Sequence, residues 1–151
     1  MMKKLLYLFF FIPLVFACSD DSNSEDVNLE IGDYYEEAGG IIFSINTGGG
    51  GMVVTMQDIG IMNRPQAVAA AENNSTGGHN DWYLPSIYQL QNIYDTVGQG
   101  GGNIGNFENA KYWSSTQQDG GYNWVFNFST GNQQSQNVVL NYRVRAVRYF
   151  P

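Results

Sequence analysis

Apolar positions along the chain follow several distinct patterns. Leu5 to Ala17 is a nearly continuous apolar run behind Lys3 and Lys4. It is shorter than the roughly 20 residues of a membrane span and has the layout of a secretory signal. Ser19 to Asp26 contains no apolar residue, so residues 18–34 are expected to form an acidic, disordered tether. The apolar pattern resumes near Tyr34. Gly40 to Ile45 and Met52 to Met56 are β-branched runs joined by Asn46-Thr47 and four glycines, which predicts a hairpin with a loose loop. The Lys-Ser/Thr of a phosphate-binding loop is missing after those glycines.

Helical spacing follows. Arg64 to Glu72 is alanine-rich with Pro65 in its first turn, and Ser86-Ile87-Tyr88-Gln89 has the form of a capping box ahead of Leu90, Tyr94 and Val97. Both helices carry a narrow apolar stripe and are expected on one side of a sheet. Residues 98–109 read as a flexible glycine-rich loop. Trp124, Phe126 and Phe128 then alternate with Val125, Asn127 and Ser129, which predicts a strand with one aromatic face. Thr130-Gly131-Asn132 is a turn, and Val138 to Leu140 with Tyr142 to Phe150 give one or two closing strands. This order indicates an α+β domain over residues 35–151 with an antiparallel sheet.

Composition narrows the function. The formal charge is −7, and removal of residues 1–17 would leave five basic residues against fourteen acidic, or −9. A chain so poor in Lys and Arg does not suit nucleic acid. Surface polarity comes from 16 Asn and 10 Gln. One cysteine excludes an internal disulfide framework and a cysteine-based zinc cluster. That cysteine, Cys18, follows Leu14-Val15-Phe16-Ala17, which resembles the lipobox of bacterial lipoproteins, although Phe16 is larger than the pattern prefers. The resemblance implies acylation of Cys18 and membrane attachment through the lipid. The Ser/Asp-rich stretch behind it resembles the signal that sends some lipoproteins to the outer face of the outer membrane.

Four stretches stand in a recognisable order: Gly39-Gly40-Ile41-Ile42-Phe43, Asp81-Trp82-Tyr83-Leu84-Pro85-Ser86, Tyr112-Trp113-Ser114-Ser115-Thr116, and Val144-Arg145-Ala146-Val147-Arg148. Together they resemble the DUF1566, or Lcl C-terminal domain, family over about residues 39–150. The resemblance implies a C-type lectin-like fold, with small antiparallel sheets flanked by two helices and a long loop region presenting the binding surface. Two positions depart from the family. Tyr83 stands where Arg is usual and Gln89 where an acid is common, so the salt bridge between them is not expected. The family's best-known role is adhesion to sulfated glycosaminoglycans, and the acidic charge argues against that ligand here. Arg143 and Arg145 alternate with Val144 and should share a strand face, with Arg148 on the other.

Catalytic chemistry is scarcely supplied. The single histidine, His79, lies in a loop and is read as a locally hydrogen-bonded residue, and no cysteine is free to serve as a nucleophile. An enzyme is not expected. Asn80, Asp81, Asp119 and Asn123 have the donor type for calcium, but the Glu-Pro-Asn and Trp-Asn-Asp signatures of calcium-dependent lectins are absent, so no cofactor is expected. Metal-free sugar binding uses aromatic faces and amides. Asn103, Asn106 and Phe107 in one loop, with Gln117, Asp119, Tyr122 and Asn123 in another, are the candidate ligand residues, while Trp82, Trp113 and Trp124 are assigned to the core. The expectation is a non-catalytic surface lipoprotein that binds an extracellular glycan or an envelope or host protein. The alternative is a structural or assembly subunit that binds no sugar.

Overall fold

The computed structural model describes residues 28–151. The signal segment, Cys18 and most of the tether lie outside the described residues. Two sheets and two helices make up the domain, an α+β arrangement as the sequence order predicts. The first sheet has strand order β1-β2-β3-β9, from β1 (Tyr34–Tyr35), β2 (Gly40–Ile45), β3 (Gly51–Val54) and β9 (Val147–Phe150). The second has order β4-β8-β5-β6-β7, from β4 (Gly60–Met62), β5 (Lys111–Gln117), β6 (Tyr122–Asn127), β7 (Asn132–Asn137) and β8 (Tyr142–Val144). All named pairs are antiparallel except β5 with β8, which meet in parallel at Tyr112 and Arg143.

The expected hairpin is β2 with β3, where Ile41 faces Val54. Gly40 sits where a Cβ would come within 2.6 Å of the Val54 carbonyl oxygen, and Gly39 before it has φ +74°. The Gly39-Gly40 pair is thus a packing and backbone requirement. The domain also begins upstream of Tyr35. Gly32 N–H donates to the Ile42 carbonyl at 2.9 Å, and Leu29 packs on the core, so the end of the expected tether is built into the fold.

Helix α1 (Arg64–Glu72) starts at Asn63, whose side chain accepts from Gln66 N–H while Gln66 reaches back to Asn63 N–H. Helix α2 (Ile87–Thr96) has the predicted box between Ser86 and Gln89. Their placement differs from expectation. Tyr112 and Trp113 point to opposite faces of β5, as successive strand residues must. Trp113 and Val125 pack with Ala67 and Ala71 of α1, whereas Tyr112 and Phe126 pack with Ile87, Leu90 and Ile93 of α2. The helices therefore cover opposite faces of the β5–β6 pair, because both strands are apolar on both sides. Trp82 and Trp113 are buried and donate their indole N–H groups to the Thr76 and Met62 carbonyls at 3.0 and 2.9 Å. Trp124 is only partly buried, at the edge of the α2 cluster.

The C-terminal third departs most from expectation. Val138 to Leu140 form a turn, and the strand is the wholly polar Asn132–Asn137 before them, held as the edge partner of β6. Arg145 and Ala146 are the point where the chain leaves the second sheet after β8 and enters the first as β9.

Candidate functional site

The two loops that hold the candidate ligand residues lie at opposite ends of β5. Seven strand residues at about 3.3 Å each separate them by roughly 20 Å, so they do not form one surface. Gln117, Tyr122 and Asn123 come together with Gln118 and Arg64 around an open cleft of about 290 Å³. Tyr122 is the exposed aromatic there, at 46%. Asn123 is buried, and its amide donates to the Ser114 carbonyl at 2.8 Å. Arg64, at the start of α1, donates from Nη2 to the Ser115 carbonyl at 3.1 Å and makes no ion pair among the described residues. Its backbone N–H holds the Val138 carbonyl at 3.0 Å, which fixes the turn on the far rim. Asp119 is exposed in the same β5–β6 loop.

The other loop is anchored in the fold. Asn103 has φ 57°, and its side chain clasps the backbone of Phe107, accepting from N–H at 2.8 Å and donating to the carbonyl at 3.0 Å. Phe107 is buried, stacked on Phe128 with centroids 4.7 Å apart. The carbonyl of Asn106 accepts from Arg145. The glycines of residues 98–109 suggest a loose segment, but these side chains fasten it to the core.

Arg145 is the centre of a buried polar network that includes a residue not singled out from the sequence, Asp58. Asp58 accepts from Arg145 Nε and Arg143 Nη1, each at 2.6 Å, and from the Tyr112 hydroxyl at 3.1 Å. The shared face of Arg143 and Arg145 is as expected, with Asp58 as its target. Arg145 also donates to the Thr55, Gly105 and Asn106 carbonyls and lies 4.2 Å from the Phe107 ring centroid. Burial pushes the Tyr112 phenol well above its usual range, and the hydrogen bond to Asp58 raises Arg143. Beside this network opens a second cleft, of about 420 Å³, lined by Gln57, Asp58, Ile59, Asn74 and Thr76 among others. The only sequence signal for Asp58 was a lone carboxylate in the polar break between a strand and the Arg64 helix.

A third polar group surrounds Arg148. It donates from Nε to Asp81 at 2.7 Å and from Nη1 to the Ala38 carbonyl at 3.1 Å, and the bond to Arg148 holds the Asp81 carboxyl below its usual range. His79 Nε2–H donates to the Glu37 carbonyl at 2.7 Å, a tie across 42 residues and not a local one. Two of the four calcium-type residues are thus engaged elsewhere, Asp81 with Arg148 and Asn123 with Ser114. Among the described residues no three His, Cys, Asp or Glu side chains are grouped to hold a metal ion.

The motif residues account for the architecture. Trp82 and Leu84 are buried in the cluster that holds Ala67 and Ala71 of α1, and the Pro85 carbonyl ahead of α2 accepts from Ser115 N–H at 2.8 Å. Ser114 Oγ–H donates to the Trp124 carbonyl at 2.6 Å. No curated protein matches the chain. The sequence profile of the Lcl C-terminal domain matches residues 40–148, which contain Gly40 and the other three motifs in full. The chain belongs to the Lcl C-terminal domain family.

Proposed function

We propose that this protein is a non-catalytic recognition module of the cell exterior, with a C-type lectin-like domain that binds a glycan at the Tyr122 cleft. The observation that carries the reading is the composition of that cleft. A half-exposed tyrosine stands beside the amides of Gln117 and Gln118 and the Arg64 guanidinium, which pairs with no carboxylate among the described residues. A tyrosine ring offers a face to the C–H side of a pyranose, and amides and guanidinium serve its hydroxyls. In this reading Cys18 carries the lipid that attaches the protein to the outer membrane.

A protein partner is the second reading. It is favoured by Val139 and Leu140, exposed at 71% and 43% on the turn next to Val138 at the cleft rim. A glycan array with the intact protein separates the two. Saturable binding to a glycan is expected; no glycan binding, with co-purification of one envelope protein, would favour the assembly role. Cys18→Ser is expected to release the protein from the membrane fraction and abolish acyl labelling. Unchanged fractionation would remove the lipid anchor from the account.

A further inference from the structure

The cleft beside Asp58 is separate from the Tyr122 cleft. Arg64 opens α1 at one, and Asn74 lies just beyond the end of α1 at the other. Nine helical residues at about 1.5 Å each put them about 14 Å apart. At about 420 Å³ the Asp58 cleft falls in the range of roughly 300–1,000 Å³ that holds small molecules.

Its polar groups are incompletely used. Asn74 Nδ2 is buried without a hydrogen-bond partner among the described residues, while Oδ1 accepts from Thr76 Oγ1 at 2.9 Å. Turning the amide over would pair Nδ2 with Thr76 and orphan the oxygen instead, so either orientation leaves one atom unsatisfied. A buried amide atom without a partner is costly in a folded protein and marks a place where another molecule supplies the bond. The exposed Gln57 amide adds both donor and acceptor at the rim, and Met56 and Ile59 add apolar surface. Asp58 is the one charged residue of the lining, and its two oxygens already face Arg143, Arg145 and Tyr112. The lining therefore presents amides, hydroxyls and a carboxylate that is already engaged, and no cation, so an anionic ligand would lose solvation there without a counter-ion.

We infer that the Asp58 cleft is a second binding site, for one neutral hydroxyl-bearing ring of the size of a hexopyranose. A hydroxyl both donates and accepts, so it satisfies Asn74 in either orientation and Gln57 at the rim. The site does not depend on the Tyr122 reading. The test is a titration of the intact, ¹⁵N-labelled protein with methyl glucoside, methyl galactoside and methyl mannoside, with glucuronate as the charged control. Saturable shifts of the Asn74 and Gln57 side-chain amides with at least one neutral glycoside are expected, and little response to glucuronate. Asn74→Ala should weaken that binding about tenfold, the scale of one lost hydrogen bond, and Gln57→Ala should weaken it less. Tyr122→Ala should leave it unchanged. The inference is overturned by no saturable shift with any of the three glycosides, by equal binding in Asn74→Ala, or by a response to glucuronate alone.

Discussion

Arg145 Nε lies 2.6 Å from Asp58 Oδ1, and this contact joins the segment after β3 to the point where the chain crosses from one sheet to the other. Arg145 is 2% exposed, so its charge depends on that carboxylate for compensation. Asp58→Ala is expected to destabilise the fold by about 3–5 kcal/mol, because it leaves a buried guanidinium without a counter-ion. Arg143→Ala removes a partner that is 28% exposed and should cost about 1 kcal/mol or less. Urea unfolding of the two variants measures the difference, and equal losses would show that Asp58 is not the keystone.

Tyr83 and Gln89 provide a second case. Gln89 Nε2–H donates to the Tyr83 hydroxyl at 2.9 Å, while its Oε1 accepts from Ser86 N–H at 2.8 Å. A neutral hydrogen bond thus occupies the place where the family commonly has an Arg–acid pair, and the capping box is kept. Tyr83→Phe should cost about 0.5–1.5 kcal/mol. Gln89→Ala should cost more, about 1–2 kcal/mol, since the cap is lost as well. The paired change Tyr83→Arg with Gln89→Glu restores both interactions and should lie within about 1 kcal/mol of the parent. Thermal unfolding of the three variants checks the order.

Asn103 tests whether the glycine-rich loop serves the fold. Its left-handed backbone and double bond to Phe107 predict that Asn103→Ala costs about 2 kcal/mol, from lost hydrogen bonds and strain at positive φ. Asn103→Gly keeps the backbone free and should cost less. Similar stability of both variants to the parent, by urea unfolding, would release Asn103 from this role.

The chain's periodic signals were legible because they are local. The capping box at Ser86, the proline in the first turn of α1 and the β2–β3 hairpin each depend on residues a few positions apart, and each stands where the sequence puts it. Asp58 was not legible, since its arginine partners lie 85 and 87 residues away. β7 was hidden for a different reason. Asn132–Asn137 has no apolar alternation, and its strand form comes from pairing with β6. Of the candidate ligand residues, Gln117, Tyr122 and Asn123 do meet at one cleft. Asn103 and Phe107 look like loop residues in the sequence because nothing local announces a clasp or a stacked ring.

Asp81 carries a pH dependence. Its carboxyl is held below its usual range, chiefly by the hydrogen bond from Arg148, so its contribution to stability is complete above the unfolded value of about 3.9. That contribution is lost as pH falls through the lower folded value. Asp81 is 54% exposed, and solvent screening keeps the effect under about 1 kcal/mol. Asp81→Asn should be less stable than the parent at pH 6, with the gap closing toward pH 2. Urea midpoints at the two pH values check this, and a gap that widens toward acid would reverse the sign.

Recognition at the Tyr122 cleft is tested by the affinity of the intact protein for its best array glycan, before and after Tyr122→Ala. The Tyr122 ring is half-exposed and belongs to neither core cluster, so its removal should leave the fold intact and the melting temperature close to the parent's. Affinity should weaken about tenfold or more if the ring stacks on the sugar. Unchanged affinity in a variant that melts with the parent would contradict recognition at this cleft.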